Sequence, residues 1–215
     1  MIKLVIWDLD GTLINSLPST FAAMNDGIEA RVGRRLSADE LLANFGSTED
    51  QVLARIVGTQ HAQECYQKYV KSTEQRIREI LPHQGILEVL DTLKAGNQQL
   101  SIFTGRARRT TDTILKNLSL EKYFSQVVAG DEVDRDKPHP EGVYKICKAA
   151  GISPSETLFV GDSHYDIASG RTAGSKTAAA TWDVQAQRSR EKLAAAMPSY
   201  FIAHPDELHE LLQRR

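Results

Sequence analysis

A chain of 215 residues, 41% hydrophobic and 25% charged, has a globular composition and room for one large domain or two small ones. Its formal net charge of -2 gives no electrostatic reason for nucleic acid or an anionic surface to be a main partner. The two cysteines, Cys65 and Cys147, lie far apart without CxxC spacing, which argues against a disulfide framework or a zinc site and fits a reducing compartment. The first apolar stretch is short and broken by Asp8 and Asp10, so it does not read as a signal peptide, and no apolar run is long enough to span a membrane. The expectation is a cytoplasmic protein with neither nucleic-acid nor membrane partners.

The first element, "IKLVIWD" from Ile2, is the continuous apolar run of a central strand buried on both faces. From about Leu17 to Ile80 the pattern is helical. "SADE" at Ser37–Glu40 and "TEDQ" at Thr48–Gln51 predict capping boxes, and Thr59 to Ile80 is one amphipathic stretch without a breaker. "LPHQG" interrupts it at Pro82 and Gly85. Strands and helices then alternate. A helix from about Ile86 to Ala95 precedes a strand ending at Thr104, and a helix through Leu118 precedes a short strand at Val127 and Val128. A helix from His139 to Ala150 follows, then the strand "TLFVGD" ending at Asp162, a helix through Ala173 and the strand "KTAAAT". A last strand and helix fall around Tyr200 to Leu212. Such alternation predicts βαβ units and a mostly parallel sheet. The simplest architecture is an α/β core interrupted after its first strand by an all-helical insert, with the core at 1–16 and 81–215 and the insert at 17–80.

Polar residues collect where strands meet loops: Asp8 and Asp10, Thr104, Lys137, and Asp162 with Asp166. Two carboxylates on one side of a strand repel by roughly 4 kcal/mol at 4 Å and an effective dielectric of about 20. A fold tolerates that if a cation sits between them, if one keeps its proton, or if both stay in water. In open α/β sheets ligands bind outside the carboxyl ends of the strands, so these distant residues converge on one crevice. Four carboxylates, a hydroxyl and an amine suit a hard divalent cation and an anion.

The arrangement resembles the haloacid dehalogenase superfamily of aspartate-nucleophile phosphatases over essentially the whole chain. "DLDGTL" at Asp8–Leu13, "IFTG" ending at Gly105, "DKPHP" around Lys137 and "GDSHYD" at Gly161–Asp166 match its four motifs in order. The insert is similar to the small cap of the phosphoglycolate phosphatase-like branch. The resemblance implies a Rossmann-like parallel-sheet core with a small all-helical cap domain inserted after the first strand. It implies a Mg²⁺-dependent phosphatase acting on a small phosphorylated metabolite, phosphoglycolate-like, through an aspartyl-phosphate, as a monomer or homodimer. Asp8 would be the nucleophile and Asp10 the acid-base group. Lys137 would offset charge between nucleophile and phosphate. Leu9, Gly11, Thr104 and Gly105 would line the phosphate or substrate. Asp8, Asp162 and the backbone carbonyl of Asp10 would ligate Mg²⁺, with Thr12 and Asp166 bracing the shell around it. Trp7, Asn15 and Gly105 depart from the usual residues at their positions without removing a catalytic group.

Other readings stay open. A sugar-phosphate mutase or a pyrophosphatase would keep the same catalytic set, whereas a non-catalytic phosphate-binding module would need no acid at Asp10. A calcium loop at "DLDG" lacks the third acid or amide and the later glutamate. Thr104 alone reads as a strand-end hydroxyl, and the cluster Arg106, Arg108 and Arg109 reads as a solvated helix face, with Arg106 as a substrate contact the alternative. In the cap, the turn "FGST" offers Gly46 and Ser47 as specificity contacts, unless Thr48 merely caps the next helix.

Overall fold

The computed structural model describes residues 1–213. Its strands are β1 (Leu4–Trp7), β2 (Ile14–Asn15), β3 (Leu81–Pro82), β4 (Gln99–Phe103), β5 (Gln126–Val128), β6 (Thr157–Gly161), β7 (Lys176–Ala180) and β8 (Tyr200–Ile202). The helices between β2 and β3 are α1 (Leu17–Val32), α2 (Ala38–Leu42), α3 (Glu49–Val57) and α4 (Thr59–Gln75). Those after β3 are α5 (Ile86–Ala95), α6 (Arg108–Leu118), α7 (Glu141–Ala150), α8 (His164–Ala173), α9 (Val184–Arg188), α10 (Arg190–Ala195) and α11 (Glu207–Gln213).

Six strands form one parallel sheet in the order β5-β4-β1-β6-β7-β8. Helices cover both faces, so β1 is buried along its whole length. Its side chains alternate as a pleat requires: Val5 and Trp7 join one hydrophobic cluster, Leu4 and Ile6 the other. The chain runs outward from β1 through β4 to β5, then returns to place β6 on the other side of β1. That reversal makes a crevice at the carboxyl ends of β1 and β6, where Asp8 and Asp162 follow their strands.

Helices α1–α4 form the small all-helical unit, with a hydrophobic cluster of their own that includes Met24, Ile28, Leu41, Leu53 and Tyr69. The chain enters and leaves this cap through β2 and β3, which pair antiparallel (Ile14 with Pro82, Asn15 with Leu81), so the two linkers lie side by side.

Three local expectations fail. The stretch from Thr59 does not stay helical to Ile80: α4 ends at Gln75 and a single 3₁₀ turn follows at Ile77–Glu79. There Asp26 of α1 accepts from Ser72 (2.6 Å) and Arg76 (2.8 Å), and Ile80 is buried in the sheet-side cluster rather than the cap. The capping box at Ser37 forms, but Thr48 makes no side-chain cap bond to α3. Thr48 is buried instead, and its methyl would lie 2.9 Å from a Cβ placed on Gly130 of the core. Finally, α9 and α10, which the alternation of strands and helices did not foretell, fill the segment between β7 and β8.

Candidate active site

Asp8 is 7% exposed, and its amide donates to the Val160 carbonyl of β6 at 2.9 Å, which fixes the loop at the crevice. The loop then turns at Gly11, whose φ is +79°. A Cβ there would fall 2.4 Å from an Asp162 carboxylate oxygen, so glycine is required by backbone conformation and by close approach together. Thr12 donates to Asp162 Oδ1 (3.2 Å), and the Thr12 carbonyl accepts from the Trp182 indole (2.9 Å). Trp182, just past the end of β7, therefore braces the loop from a neighbouring strand end. Leu9 is fully buried in the core, so its side chain does not reach the crevice.

Lys137, from the loop before α7, donates to Asp8 Oδ1 and Asp166 Oδ1, each at 2.7 Å. Asp166 is locked in turn, because its other oxygen accepts from the Ser163 amide (3.0 Å) and hydroxyl (2.5 Å). Burial pushes the Asp8 carboxyl up to about 7; the Asp166 and Asp10 carboxylates push the same way and Lys137 opposes them. Burial and the carboxylates of Asp8, Asp166 and Asp183 drive Asp162 well above the ordinary range. Burial works against the Lys137 ammonium, yet Asp166 and Asp8 hold its pKa above that of an ordinary lysine.

Asp10, two residues on, faces a different cation. Arg106 grips it in a fork, Nε to Oδ2 at 3.0 Å and Nη2 to Oδ1 at 2.6 Å, and the Ser16 hydroxyl also donates to Oδ1. Burial alone would raise the Asp10 carboxyl, but Arg106 outweighs it and the net shift is downward. The repulsion between the paired aspartates is thus met by giving each its own cation.

Arg106 is 5% exposed, which overturns its reading as part of a solvated face. Its remaining donors go to the cap: Thr20 of α1 (2.9 Å), Tyr69 of α4 (2.8 Å) and Glu49 of α3 (3.3 Å). All five N–H groups are engaged, so Arg106 presents none to a ligand in this arrangement. Glu49, 5% exposed, also accepts from the Ala107 amide (2.8 Å) and the Thr110 hydroxyl (2.6 Å) of the core. Arg108 pairs with Glu132 and Asp112, and exposed Arg109 lies 3.6 Å from Glu74.

Thr104 and Gly105 follow β4 and line the same cleft as Asp8, Lys137 and Asp162. The Thr104 hydroxyl accepts from the Arg106 amide (3.1 Å), the strand-end role a lone threonine suggests, which leaves its O–H to donate. Gly46 and Ser47 line the cleft from the cap. Gly46 has φ +114°, and its Cβ position would lie 3.7 Å from the Tyr165 ring of α8. Ser47 accepts from Arg55 Nη2 (2.6 Å), so the turn is held from α3. The cleft encloses about 700 Å³ and extends to Gln185, Arg188 and Lys192 of α9 and α10.

Carboxylate oxygens of Asp8, Asp162 and Asp166 lie within 4.8 Å of one another. Three acids against one lysine, Asp8 and Asp166 buried and Asp162 half-buried, leave an excess of negative charge, which the upward shifts of Asp8 and Asp162 register. A hard divalent cation fits this donor set. Asp8 and Asp162 are its natural ligands, since both oxygens of Asp166 already serve Lys137 and Ser163. The carboxylate of Asp10 faces Arg106 and lies outside this group.

Sequence reasoning missed Glu49, Tyr69 and the α9–α10 wall, and left Trp182 open between core and cleft rim. Glu49 lies within the predicted capping box "TEDQ" and Tyr69 within the amphipathic stretch from Thr59, and neither pattern marks the residue as one that would reach the core.

No helix among the described residues is long and apolar enough to cross a membrane. A protein from Haemophilus somnus 129pt, described as a predicted phosphoglycolate phosphatase, superposes with a TM-score of 0.87 at 23% identity, covering 99% of this chain and 98% of that one. A subfamily IA, variant 1 hydrolase of the haloacid dehalogenase superfamily from Geobacter sulfurreducens PCA matches at a TM-score of 0.72 and 31% identity, over 98% and 96% of the two chains. Among sequences, pyrophosphatase PpaX of Bacillus cereus (strain AH820) is 30% identical, covering 98% of this chain and 95% of the relative. The PpaX of Bacillus mycoides (strain KBAB4) is 29% identical, over 99% and 98%. The family model for haloacid dehalogenase-like hydrolases matches residues 5–180, a span that holds every strand-end residue of the crevice and the whole cap. With four motifs meeting at the switch of a parallel sheet beneath an inserted helical cap, the chain belongs to the haloacid dehalogenase-like hydrolase family.

Proposed function

We propose that the chain is a Mg²⁺-dependent phosphohydrolase that forms an aspartyl-phosphate on Asp8. The observation that carries this reading is the Asp8–Lys137–Asp166 chain, with 2.7 Å at each link. Asp166, pinned by Ser163, fixes Lys137, and Lys137 fixes one Asp8 oxygen, so the other can be aimed at phosphorus. The resulting substitution makes an Asp8 O–P bond and breaks the bond from phosphorus to the ester oxygen. Lys137 and the Thr104 hydroxyl offset charge on the phosphoryl oxygens, as the Gly105 amide does from the same loop. Asp8 and Asp162, with the Asp10 carbonyl, would hold Mg²⁺, which shields the carboxylates from the incoming phosphate.

Asp10 acts twice. Its protonated form gives a proton to the leaving oxygen, and its ionised form takes one from the water that attacks the aspartyl-phosphate, releasing phosphate and regenerating Asp8. Arg106 holds Asp10 in the ionised form. The second step is served directly, whereas Asp10 has to part from Arg106 to carry a proton in the first.

Phosphate release from p-nitrophenyl phosphate in Mg²⁺ tests the reading, with acid quench and mass spectrometry to find phosphate on the Asp8 peptide. Asp8→Asn should lower turnover by several powers of ten, the scale of loss when one member of a catalytic unit is removed, and abolish the labelled peptide. A variant keeping a tenth of the wild-type rate would sink the covalent mechanism. Pyrophosphate is a second candidate substrate, favoured by the name carried by full-length relatives near 30% identity. Phosphoglycolate enters through the description of a structural neighbour.

A further inference from the structure

Building on the phosphohydrolase reading, we infer that the substrate's leaving group is an uncharged apolar body of several carbons, not the carboxylate of phosphoglycolate or the second phosphate of pyrophosphate. The cleft over Asp8 holds about 700 Å³. That lies in the range of about 300–1,000 Å³ that encloses drug-sized ligands, and it exceeds what a phosphoryl group with a two-carbon ester fills. The cap side of the cleft is lined in large part by carbon, from Leu17 and Met24 of α1, Leu42 of α2, Phe45 of the following turn and Val52 of α3, beside the polar Thr20 and Ser47. Leu17, Thr20 and Met24, spaced three and four apart, present one stripe of α1 to the cavity.

Charge in the cleft points the same way. Among the described residues, four cationic side chains line it: Arg106, Lys137, Arg188 and Lys192. Lys137 is held by Asp8 and Asp166, and every N–H of Arg106 is engaged by Asp10, Thr20, Tyr69 or Glu49. Arg188 and Lys192 are exposed and belong to α9 and α10 of the core, not to the cap. An anionic leaving group against the cap would meet carbon, the Thr20 and Ser47 hydroxyls and the Glu49 and Asp39 carboxylates, with no cationic side chain of the cap among the described lining residues. Burying an unpaired charge there is costly, whereas burying hydrocarbon is favourable.

Two measurements separate this inference from the reading beneath it. Calorimetric titration of the Mg²⁺-loaded protein with n-alkylphosphonates, from ethyl to octyl, reads the pocket without chemistry. Kd should tighten about two- to fourfold per methylene over the first several carbons. Leu42→Ser and Phe45→Ser, both at half-buried positions, should each flatten that slope by half or more. Hydrolysis of the matching n-alkyl phosphates, whose leaving groups differ little in basicity, should follow the same trend in kcat/KM, with hexyl phosphate above phosphoglycolate and pyrophosphate. A Kd independent of chain length, or a kcat/KM for phosphoglycolate or pyrophosphate above that of hexyl phosphate, overturns the inference and leaves the hydrolase reading standing. A steep Kd slope with no phosphate released from any ester, p-nitrophenyl phosphate included, overturns the hydrolase reading and keeps the apolar pocket.

Discussion

Replacing Glu49 with alanine should unlatch the cap from the core. Glu49 belongs to α3, yet three of its four donors are core groups: the Ala107 amide at 2.8 Å, the Thr110 hydroxyl at 2.6 Å and Arg106 Nη1 at 3.3 Å. The fourth is the Tyr69 hydroxyl of the cap, at 3.2 Å. With both Glu49 and Arg106 at 5% exposure, water cannot easily replace the lost carboxylate. Arg106 keeps Asp10 as its counter-charge, but the Ala107 amide, one Arg106 N–H and the Tyr69 hydroxyl lose their acceptor; at about 1–3 kcal/mol for each unsatisfied buried donor, the expected cost is about 3–5 kcal/mol. For a chain of this size each kcal/mol moves Tm by about 2–4 °C, so the expected fall is about 6–20 °C. A local reporter is the Ala107 amide, whose acceptor lies across the domain boundary. At about 1.4 kcal/mol per factor of ten, even the lower cost should speed its hydrogen exchange by roughly a hundredfold. Glu49→Gln, which keeps the shape and one acceptor oxygen, should fall between wild type and alanine. If Glu49→Ala shifts Tm by less than about 2 °C and leaves Ala107 exchange unchanged, the latch does not hold the cap and this reasoning fails.

Chelation with EDTA should silence phosphate release, Mg²⁺ should restore it and Ca²⁺ should support it poorly, since Ca²⁺ accepts more ligands and would let Asp8 bind through both oxygens; full activity in Ca²⁺ counts against the proposed ligand geometry. In EDTA, Tm should fall as pH rises from about 4 through about 7, because folding raises the Asp8 carboxyl from 3.8 to about 7. In that window the folded chain binds more protons than the unfolded one, so stability is fullest below the window and lost on passing upward through it. Asp162 shifts in the same direction, and Mg²⁺ should remove the slope. A Tm that rises over this range in EDTA would contradict the assigned burial. Gly11→Ala should destabilise by about 1–2 kcal/mol from its left-handed backbone alone. It should weaken Mg²⁺ binding as well, since the new Cβ would sit 2.4 Å from Asp162; unchanged metal affinity by calorimetry would show that Asp162 is not a ligand.

The crevice residues were legible because their signal is local. An apolar run ending in an acid, as in "LVIWD" and "TLFVGD", declares both the strand and the exposed end of it, and parallel topology brings such ends together. Even the unfavourable spacing of Asp8 and Asp10 was informative, since it called for a cation, a retained proton or open water. What the spacing did not contain was the identity of the cations. Lys137 arrived through a motif, whereas Arg106 read as one of three arginines on a helix face, two of which do sit at the surface or half-buried beside acids.

Glu49 and Asp50 make the limit plain. They are adjacent acids in the first turn of α3, both favourable to the positive end of the helix, and nothing in "STEDQ" ranks one above the other. Yet Asp50 is exposed, and Glu49 is buried against an arginine 57 positions further along the chain. The difference arises from which side of α3 meets the core once the two linkers have paired as β2 and β3. Thr48 follows from the same event: docking buries its methyl toward Gly130, and its side chain makes none of the cap bonds that its sequence favours. Local propensity chose where α3 begins, and docking of the cap decided which of its first residues reach Arg106 and, through it, Asp10.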